Sequence, residues 1–159
     1  THCSAQGIVY APGCSQVGGL IGYSGNTVLN SCAWGTTITG GSRIGGLIGY
    51  TDGLVSYSYA LCDIAGSSDR GSLLGAKGFN GGVQNSLWYN NGSTKIMGSG
   101  SLNDTSNKDF NSKEMQDEHV VHLNAGQSPT WELGAFEGHR RVYFIGYKDI
   151  KVHEIETEP

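Results

Sequence analysis

The histidines near residue 120 have the spacing closest to that of a metal site. His119 and His122 lie three residues apart, and Glu118 precedes His122 by four residues. On a helix, residues at such spacings share one face, and imidazole and carboxylate groups are common zinc ligands. A further ligand would have to be His139 or His153, and neither His-Glu-x-x-His nor its inverse occurs. An exposed polar helix face explains the same spacing, so we predict no metal site.

Carboxylates are the other groups that could do chemistry. Polysaccharide lyases and hydrolases need clustered acids for acid–base catalysis or metal binding. The first 97 residues contain three acids, which are Asp52, Asp63 and Asp69. Asp52 falls in one repeat unit, whereas Asp63 and Asp69 fall at different positions of the next unit. Because these positions do not stack, we predict no catalytic residue and no cofactor.

The elements that position these groups follow a sequence repeat. The hexapeptide GGLIGY begins at residues 18 and 45, and a variant, GSLLGA, begins at residue 71, so the copies are 27 and then 26 residues apart. A fixed period of this size indicates a repeat protein. Each period holds three short strand-like runs separated by Gly, Ser, Asn or Asp, which fits one turn, or rung, of a parallel β-solenoid. Helical repeats are disfavoured because glycine weakens helix interiors.

We therefore predict an all-β fold in which residues 1–97 form a β-solenoid of about three to four rungs. Two apolar ladders should run through the stack. They consist of Leu20, Leu47 and Leu73 and of Ile21, Ile48 and Leu74. Neighbouring residues of a strand point to opposite faces. One ladder should therefore fill the interior, and the other should form an outer stripe that needs a cover. The alternative is a bulge at the Gly-Gly step that turns the strand into a corner, so that both ladders face inward.

All four cysteines lie within these repeats. Cys3 and Cys32 hold the same place in consecutive rungs, and stacked strands bring Cα atoms within the separation that a disulfide tolerates. A disulfide between Cys3 and Cys32 is therefore one interpretation, and two small buried side chains in a ladder are the other. Cys14 and Cys62 fall at different places in rungs that are not neighbours, so we expect no bond between them. No CxxC pair occurs, which argues against a zinc site.

The C-terminal part should close the stack. Residues 98–110 are polar and without periodicity, which indicates a loop or linker. Residues 111–159 should form a small α+β cap with a helix over 112–124, where Asn111 and Glu114 have capping-box spacing. Strands are expected over 130–133, 141–147 and 150–155. Apolar residues of this tail are the candidates to cover the outer ladder; they are Met115, Val120, Leu123, Trp131, Phe136 and Phe144.

The first rung has no cap in this sequence. The chain opens within a rung, without an initiator Met or a signal peptide, so we expect a piece of a longer protein. A terminal rung exposes unpaired backbone and an open core. The expected cover is upstream rungs of the same longer protein or another chain.

The repeats resemble a known family. The VGGLIGY of residues 17–23 is followed by Val28 and by the NSCA of residues 30–33. This pattern resembles the GLUG repeat of bacterial surface adhesins and of IgA-protease-type cell-surface metallopeptidases. Leu123-Asn124 and the following Trp131 are similar to the segment that closes such arrays, although the RVYFI of residues 141–145 lacks the family's proline. The resemblance implies a right-handed parallel β-helix on an extracellular protein, without an active site in the repeats.

Charge and hydropathy argue against two kinds of partner. The net charge is −4, and eleven of the 17 charged residues after position 97 are acidic. Without a basic stripe, the chain lacks the electrostatic footprint of nucleic-acid binding. No run approaches the roughly 18 apolar residues of a membrane span.

Together these features predict a non-catalytic structural or binding segment of a secreted or cell-surface adhesin-like protein. Such a segment would present or space other modules and bind an extracellular protein or glycan ligand. The alternative is a polysaccharide-binding or polysaccharide-cleaving β-helix enzyme. The outer surface discriminates between them, because an enzyme needs a cleft with converging carboxylates.

Overall fold

Stacked parallel strands make up most of the fold. The computed structural model describes residues 1–91, 95–102, 104–112, 114–136 and 139–144. The first rung contains β1 (Ser4–Gly18), β2 (Ile21–Ser24) and β3 (Val28–Leu29), and the second contains β4 (Cys32–Gly45), β5 (Ile48–Thr51) and β6 (Leu54–Ser56). The third rung contains β7 (Tyr59–Gly66), β8 (Arg70–Lys77) and β9 (Gly82–Gln84).

Parallel pairing holds successive rungs in register. Strand β1 pairs with β4, and β4 pairs with β7 and then with β8, because the chain turns a corner within β4. Ile48 stands between Ile21 and Leu74, its equivalents in the rungs on either side. Strands β3, β6 and β9 form a second, three-stranded sheet. The predicted parallel β-solenoid is therefore confirmed.

Two corners in every rung use the left-handed backbone conformation. The residues at the first corner are His2, Asn30, Tyr57 and Asn85, and those at the second are Gln16, Arg43 and Asp69. Their φ angles lie between 48° and 59°. This conformation costs roughly 1–2 kcal/mol for a residue with a side chain, so the surrounding contacts must stabilise it.

Buried serines stabilise the first corner. The N–H of Ser31 donates to Oγ of Ser58 at 3.0 Å, and the N–H of Ser58 donates to Oγ of Ser86 at 3.2 Å. Each of the three hydroxyls also donates to the carbonyl oxygen two residues earlier, at 2.8–3.0 Å. Because unpaired buried polar groups are costly, these bonds fix the corner. They give a physical reason for the recurring Asn-Ser step.

The glycine pairs make a sharp arch, so both hexapeptide ladders face the interior. Strand β4 ends at Gly45 and β5 begins at Ile48. A Cβ on Gly45 would collide with the carbonyl oxygen of Ile48, and one on Gly46 would collide with that of Ser72. Because the chain bends there, the alternation of a straight strand does not apply. The expectation of one inner and one outer ladder is therefore wrong.

The burial of the hexapeptide Leu and Ile side chains confirms that both ladders face inward. In the second and third rungs Leu47, Ile48, Leu73 and Leu74 are each at most 1% exposed and belong to one core cluster. Their first-rung equivalents are partly buried against the same cluster. The core of the solenoid therefore contains both ladders.

The segment after the third rung continues the stack. Strand β10 (Leu87–Tyr89) is followed by β11 (Lys95–Ser99), and β12 (Lys108–Phe110) then pairs with β10. Asn107 Oδ1 accepts the N–H of Ser86 at 3.1 Å, in the place that a serine hydroxyl takes in earlier rungs. The prediction of a linker over 98–110 is therefore wrong for residues 98–99, which end β11, and for residues 108–110, which form β12. A polar composition does not distinguish a loop from a corner whose side chains cap the backbone.

The helix begins later than predicted. Helix α1 spans Asp117–Asn124 rather than 112–124, and Gln116 is its N-cap. The N–H of Gln116 donates to Nδ1 of His119 at 2.8 Å. Glu114 instead accepts the N–H of Arg140 at 2.6 Å. The expected capping box of Asn111 and Glu114 is therefore replaced by one that involves His119.

An antiparallel hairpin follows the helix. Strands β13 (Trp131–Phe136) and β14 (His139–Phe144) pair along their whole length. They correspond to the strands predicted over 130–133 and 141–147. The end of that second prediction and the strand expected over 150–155 lie outside the described residues.

The tail covers one outer side of the rungs, here called the lateral face. Its residues come from β4, β7 and β10; they are Cys32, Trp34, Tyr59, Leu61 and Leu87. Met115, Leu123 and Trp131 belong to the same apolar cluster and are at most 1% exposed. The tail thus folds along the side of the solenoid, as predicted, but against this face rather than against a hexapeptide ladder.

Candidate functional site

The two histidines of α1 lie against the end of the solenoid. His119 is buried, and its ring packs against Phe110 with 5.1 Å between centroids. Its Nε2 lies 3.9 Å from the carboxylate of Glu118. Burial lowers the pKa of His119 and that of His122, and the positive charge of Lys108 lowers both further. These surroundings favour neutral imidazoles that serve packing and capping.

An open cleft of about 280 Å³ adjoins His119 and is lined by several acids. Its carboxylates bind protein groups: Asp109 accepts the side-chain amide of Asn90 at 2.7 Å, and Glu114 accepts the Arg140 N–H. Within the described part of the chain, no three His, Cys, Asp or Glu side chains converge on a metal-sized site. Two of the three acids that line the cleft are therefore engaged by other groups of the chain.

The three solenoid aspartates occupy different settings. Asp52 follows β5 and accepts hydrogen bonds from two tyrosines. Asp63 lies within β7, in register with Thr37. Asp69 is a second-corner residue, and its carbonyl oxygen accepts the N–H of Ile44 at 2.9 Å. The acids therefore belong to different ladders, as their sequence positions indicate.

In the pairing of β1 with β4, Cys3 lies one position before the residue that is paired with Cys32. Ser4 is the residue opposite Cys32, and the N–H of Cys3 donates to Oγ of Ser31 at 3.4 Å. The expected equivalence of Cys3 and Cys32 is therefore wrong, because the repeat aligns on the corner, where His2 corresponds to Asn30. All four cysteines lie in the described ranges and are free thiols.

The two buried cysteines fit the packing interpretation. Cys32 is 3% exposed on the lateral face, and burial raises its pKa to about 12. Cys62 belongs to the solenoid core, where its thiol donates to backbone carbonyl oxygens. Both behave as small apolar side chains.

A pair of stacked tyrosines stands on the outside of the first two rungs. Tyr23 and Tyr50 are paired in register, with 5.9 Å between ring centroids and 10° between ring planes. The equivalent residue of the third rung is Ala76, so the aromatic ladder stops there. Tyr23 is 54% exposed. An aromatic surface is therefore presented to solvent on a rigid sheet.

One carboxylate holds both tyrosines. The hydroxyl of Tyr23 donates to Asp52 at 3.0 Å, and that of Tyr50 lies 3.5 Å from the other carboxylate oxygen. The hydrogen bond to Asp52, and then its negative charge, raise the pKa of Tyr23. The guanidinium of Arg43 lies 5.3 Å from the ring centroid of Tyr50. We call Tyr23, Arg43, Tyr50 and Asp52 the tyrosine site.

An exposed phenylalanine follows the tyrosine site in the next rung. Phe79 is 99% exposed at the corner after β8. The preceding Gly78 donates its N–H to the carbonyl oxygen of Thr51 at 2.9 Å, which holds this corner beside Asp52.

The sequence did not predict the tyrosine site. The available signal was a tyrosine at the same position of two repeats, followed by an acid in the second.

The chain matches no family model, no curated protein and no solved structure. Among the described residues, no helix has both the length and the apolar character of a membrane span. The basis for a functional proposal is therefore the arrangement of the residues themselves.

Proposed function

We propose that this chain is a GLUG-type, non-catalytic segment of a secreted or cell-surface adhesin-like protein. In this role the solenoid presents or spaces other modules and offers an outer surface to an extracellular ligand. Its cover at the first rung is upstream rungs of the same longer protein or another chain. The resemblance of the repeats to GLUG arrays supports this proposal, and one structural observation carries it.

That observation is the open edge of the first rung. Both of its corners, His2 and Gln16, have the left-handed conformation of the later corners. Among the described strands, β1 is paired along one edge, with β4. Its core residue Val9 is only partly buried, whereas the equivalent Ile38 is 0% exposed. An edge with unpaired backbone and open core is a template for further pairing.

The outer surface supports a binding role more than a catalytic one. The solenoid acids belong to different ladders, and Asp52 is engaged by tyrosine hydroxyls. Catalysis of polysaccharide cleavage needs two acids or an acid and a metal that converge on one bond. A rigid aromatic surface, by contrast, suits recognition without chemistry.

An added rung tests the proposal directly. A copy of residues 30–56 is placed immediately before His2, which keeps the corner spacing of the repeat. We expect this rung to fold on β1 and to protect the backbone amides of β1 from hydrogen exchange. The melting temperature should rise by several degrees, at roughly 2–4 °C per kcal/mol of added stability. The control carries the same residues in scrambled order. If the native copy stays as unprotected as the scrambled one, the array proposal fails.

Location needs a separate measurement. An antibody against the tail should label intact cells that make the parent protein as strongly as permeabilised cells. Labelling only after permeabilisation would overturn the extracellular assignment and leave the result on rung stacking unchanged.

A further inference from the structure

We propose that the acidic cleft beside His119 binds a cationic amino sugar. The carboxylates of Asp109 and Glu118 hold the ammonium group of the sugar, and a neighbouring hydroxyl accepts the N–H of His119. This inference rests on the binding role proposed for the chain, and it names a site and a ligand class for that role.

The position of the cleft keeps it clear of any upstream rung. The cleft lies between β12, at one end of the strand order, and the start of α1. Upstream rungs would stack on β1, which is separated from β12 by β4, β7 and β10. Such rungs would therefore leave the cleft open.

The charge of the cleft selects a cation. Of the described residues that line it, Asp109, Glu114 and Glu118 are acidic and none is lysine or arginine. The basic groups nearby are Lys108, which is exposed, and Arg140, whose guanidinium lies 3.8 Å from a further aspartate. Negative charge therefore exceeds positive charge around the cleft, so it attracts a cation and repels an anion.

His119 adds a hydrogen-bond donor to this acidic lining. Its Nδ1 accepts the N–H of Gln116 at 2.8 Å, so the proton of the neutral imidazole is on Nε2. The carboxylate of Glu118 lies 3.9 Å from Nε2, beyond hydrogen-bond reach, and no other described residue accepts this proton. The side chain is only 9% exposed, and an unpaired donor in such a setting is costly. An oxygen atom of a ligand in the cleft would pair it.

The same tautomer is unsuited to a metal ion. A metal ion binds the lone pair of an imidazole nitrogen. The one lone pair of neutral His119 already accepts the N–H of Gln116. His119 therefore favours a ligand with an acceptor oxygen.

The carboxylates of Asp109 and Glu118 can accept further hydrogen bonds. Asp109 on β12 uses Oδ2 for the side-chain amide of Asn90 at 2.7 Å, which leaves Oδ1 for a ligand. The side chain of Glu118 on α1 is 80% exposed, so its oxygens are accessible. Hydrogen bonds between an ammonium group and a carboxylate are charge-assisted and stronger than neutral ones. Two carboxylates from different elements therefore suit an ammonium group.

An amino sugar combines the groups that the cleft requires. An ammonium group donates three hydrogen bonds and accepts none, so it cannot pair with the N–H of His119. A hydroxyl on the next ring carbon can accept that N–H, and Asn90 and Ser112 can bond with further hydroxyls. A volume of about 280 Å³ is small for a ligand pocket, which suits one sugar ring. A simple amine lacks the hydroxyls, and a neutral sugar lacks the charge.

A titration on the intact chain tests the proposal. The probe is a tetrasaccharide of glucosamine, and the matched comparison is the tetrasaccharide of N-acetylglucosamine, which has the same ring without the charge. Spermidine supplies amines without sugar hydroxyls, and a short peptide supplies a free N-terminal amine. A pH of about 6.5 keeps the amines charged and, because burial lowers the pKa of His119, most of its imidazole neutral.

The expected result is selective binding at the cleft. The glucosamine probe should bind with Kd below about 1 mM, at least about tenfold more tightly than each comparison. Backbone amide shifts should be concentrated at β12 and at the start of α1. The ring nitrogen signals of His119 should move in the same titration, because its N–H gains an acceptor.

Matched variants locate the site. Glu118→Gln removes the charge of an exposed side chain and should weaken binding at least about fivefold, as should Asp109→Asn. Asp63→Asn is the control, because it makes the same change of charge on β7. It should change the affinity by less than about twofold. Amide spectra of each variant show whether its fold is retained.

Several results would overturn the amino-sugar proposal. They are the absence of binding at about 10 mM, equal affinity for the acetylated tetrasaccharide, and full affinity in Glu118→Gln. Equal binding of spermidine would show only a general attraction for cations, and tighter binding of the peptide would assign the cleft to a protein ligand. If the added rung folds and the glucosamine probe does not bind, the array proposal stands and only the ligand assignment fails.

Discussion

Asn30 and Trp131, which are 101 positions apart, are joined by a hydrogen bond from the indole Nε1–H to Oδ1 of Asn30 at 3.2 Å. Gln127 makes two further hydrogen bonds with the same amide, at 2.9 and 3.2 Å. Asn30 is also a first-corner residue with a φ of 49°. One buried side chain therefore fixes both a corner of the solenoid and the position of the tail.

Removal of this amide should release the tail and strain the corner. Asn30→Ala removes the Oδ1 acceptor of the indole N–H of Trp131 and puts alanine in the left-handed conformation. We expect the free energy of unfolding to fall by about 2–4 kcal/mol, measured by urea denaturation. Asn85→Ala is the matched control, because Asn85 occupies the first corner two rungs later with a φ of 48°. It should cost only about 1 kcal/mol, and equal losses in both variants would argue against the tail contact.

The glycine after each Leu-Ile pair should be intolerant of any side chain. A Cβ on Gly49 would collide with the backbone of Gln16 and Val17 in the first rung. We expect Gly49→Ala to destabilise the chain by about 3 kcal/mol or more, or to prevent folding. Gly25→Ala is the control, since its Cβ would make only an ordinary contact with the Tyr23 hydroxyl. A mild effect at Gly49, within about 0.5 kcal/mol of the control, would contradict this close approach of β5 to the first rung.

Acid should weaken the attachment of the tail. Burial lowers the pKa of His119 and of His122 below the ordinary value of 6.5. The unfolded chain therefore takes up protons first as the pH falls, so the free energy of unfolding should decrease below pH 6.5 and be unaffected by these groups above it. Urea denaturation between pH 7.5 and pH 5 measures this slope. Glu118 opposes the lowering at His119, and a backbone hydrogen bond with Ser86 opposes it at His122, so His119→Gln and His122→Gln should each flatten the slope.

The purified chain should not cleave polysaccharides. Its solenoid acids occupy different ladders, and the reaction needs convergent groups. A panel of neutral and acidic polysaccharides, assayed for new reducing ends and for unsaturated products, checks this expectation. Activity that Asp63→Asn abolishes would establish the enzyme alternative.

The repeat pattern was sufficient to predict the stacked strands, because each glycine-rich period holds three short strand-like runs that fit one rung of a parallel solenoid. The direction of neighbouring side chains was not predictable from the same pattern. Leu47 and Ile48 both point inward because the glycines before them bend the chain, and the rule of alternation assumes a straight strand. The periodicity of the hexapeptide therefore identified both ladders, but the alternation rule placed one of them on the outside of the solenoid.

Contacts between residues that are far apart in the sequence were also not predictable. Nothing near Glu114 in the sequence shows that its carboxylate binds the N–H of Arg140, so the capping box with Asn111 was the better local prediction. The tyrosine site has the same origin, since Asp52 reaches Tyr23 across 29 positions. Such contacts depend on register, which becomes known only when the rungs are stacked.

The way the tail attaches has a consequence for how the length of such a chain can change during evolution. Serine-to-serine bonds are the same from one rung to the next, so a whole period could be gained or lost without new contacts. The tail, however, bonds to Asn30 and to Tyr59, whose hydroxyl donates to the carbonyl oxygen of Val142 at 2.8 Å. An insertion between these two positions would separate the two anchors by one strand spacing, roughly 4.8 Å. Duplication should therefore be tolerated ahead of Asn30, while the rungs beneath the tail change only by point substitution.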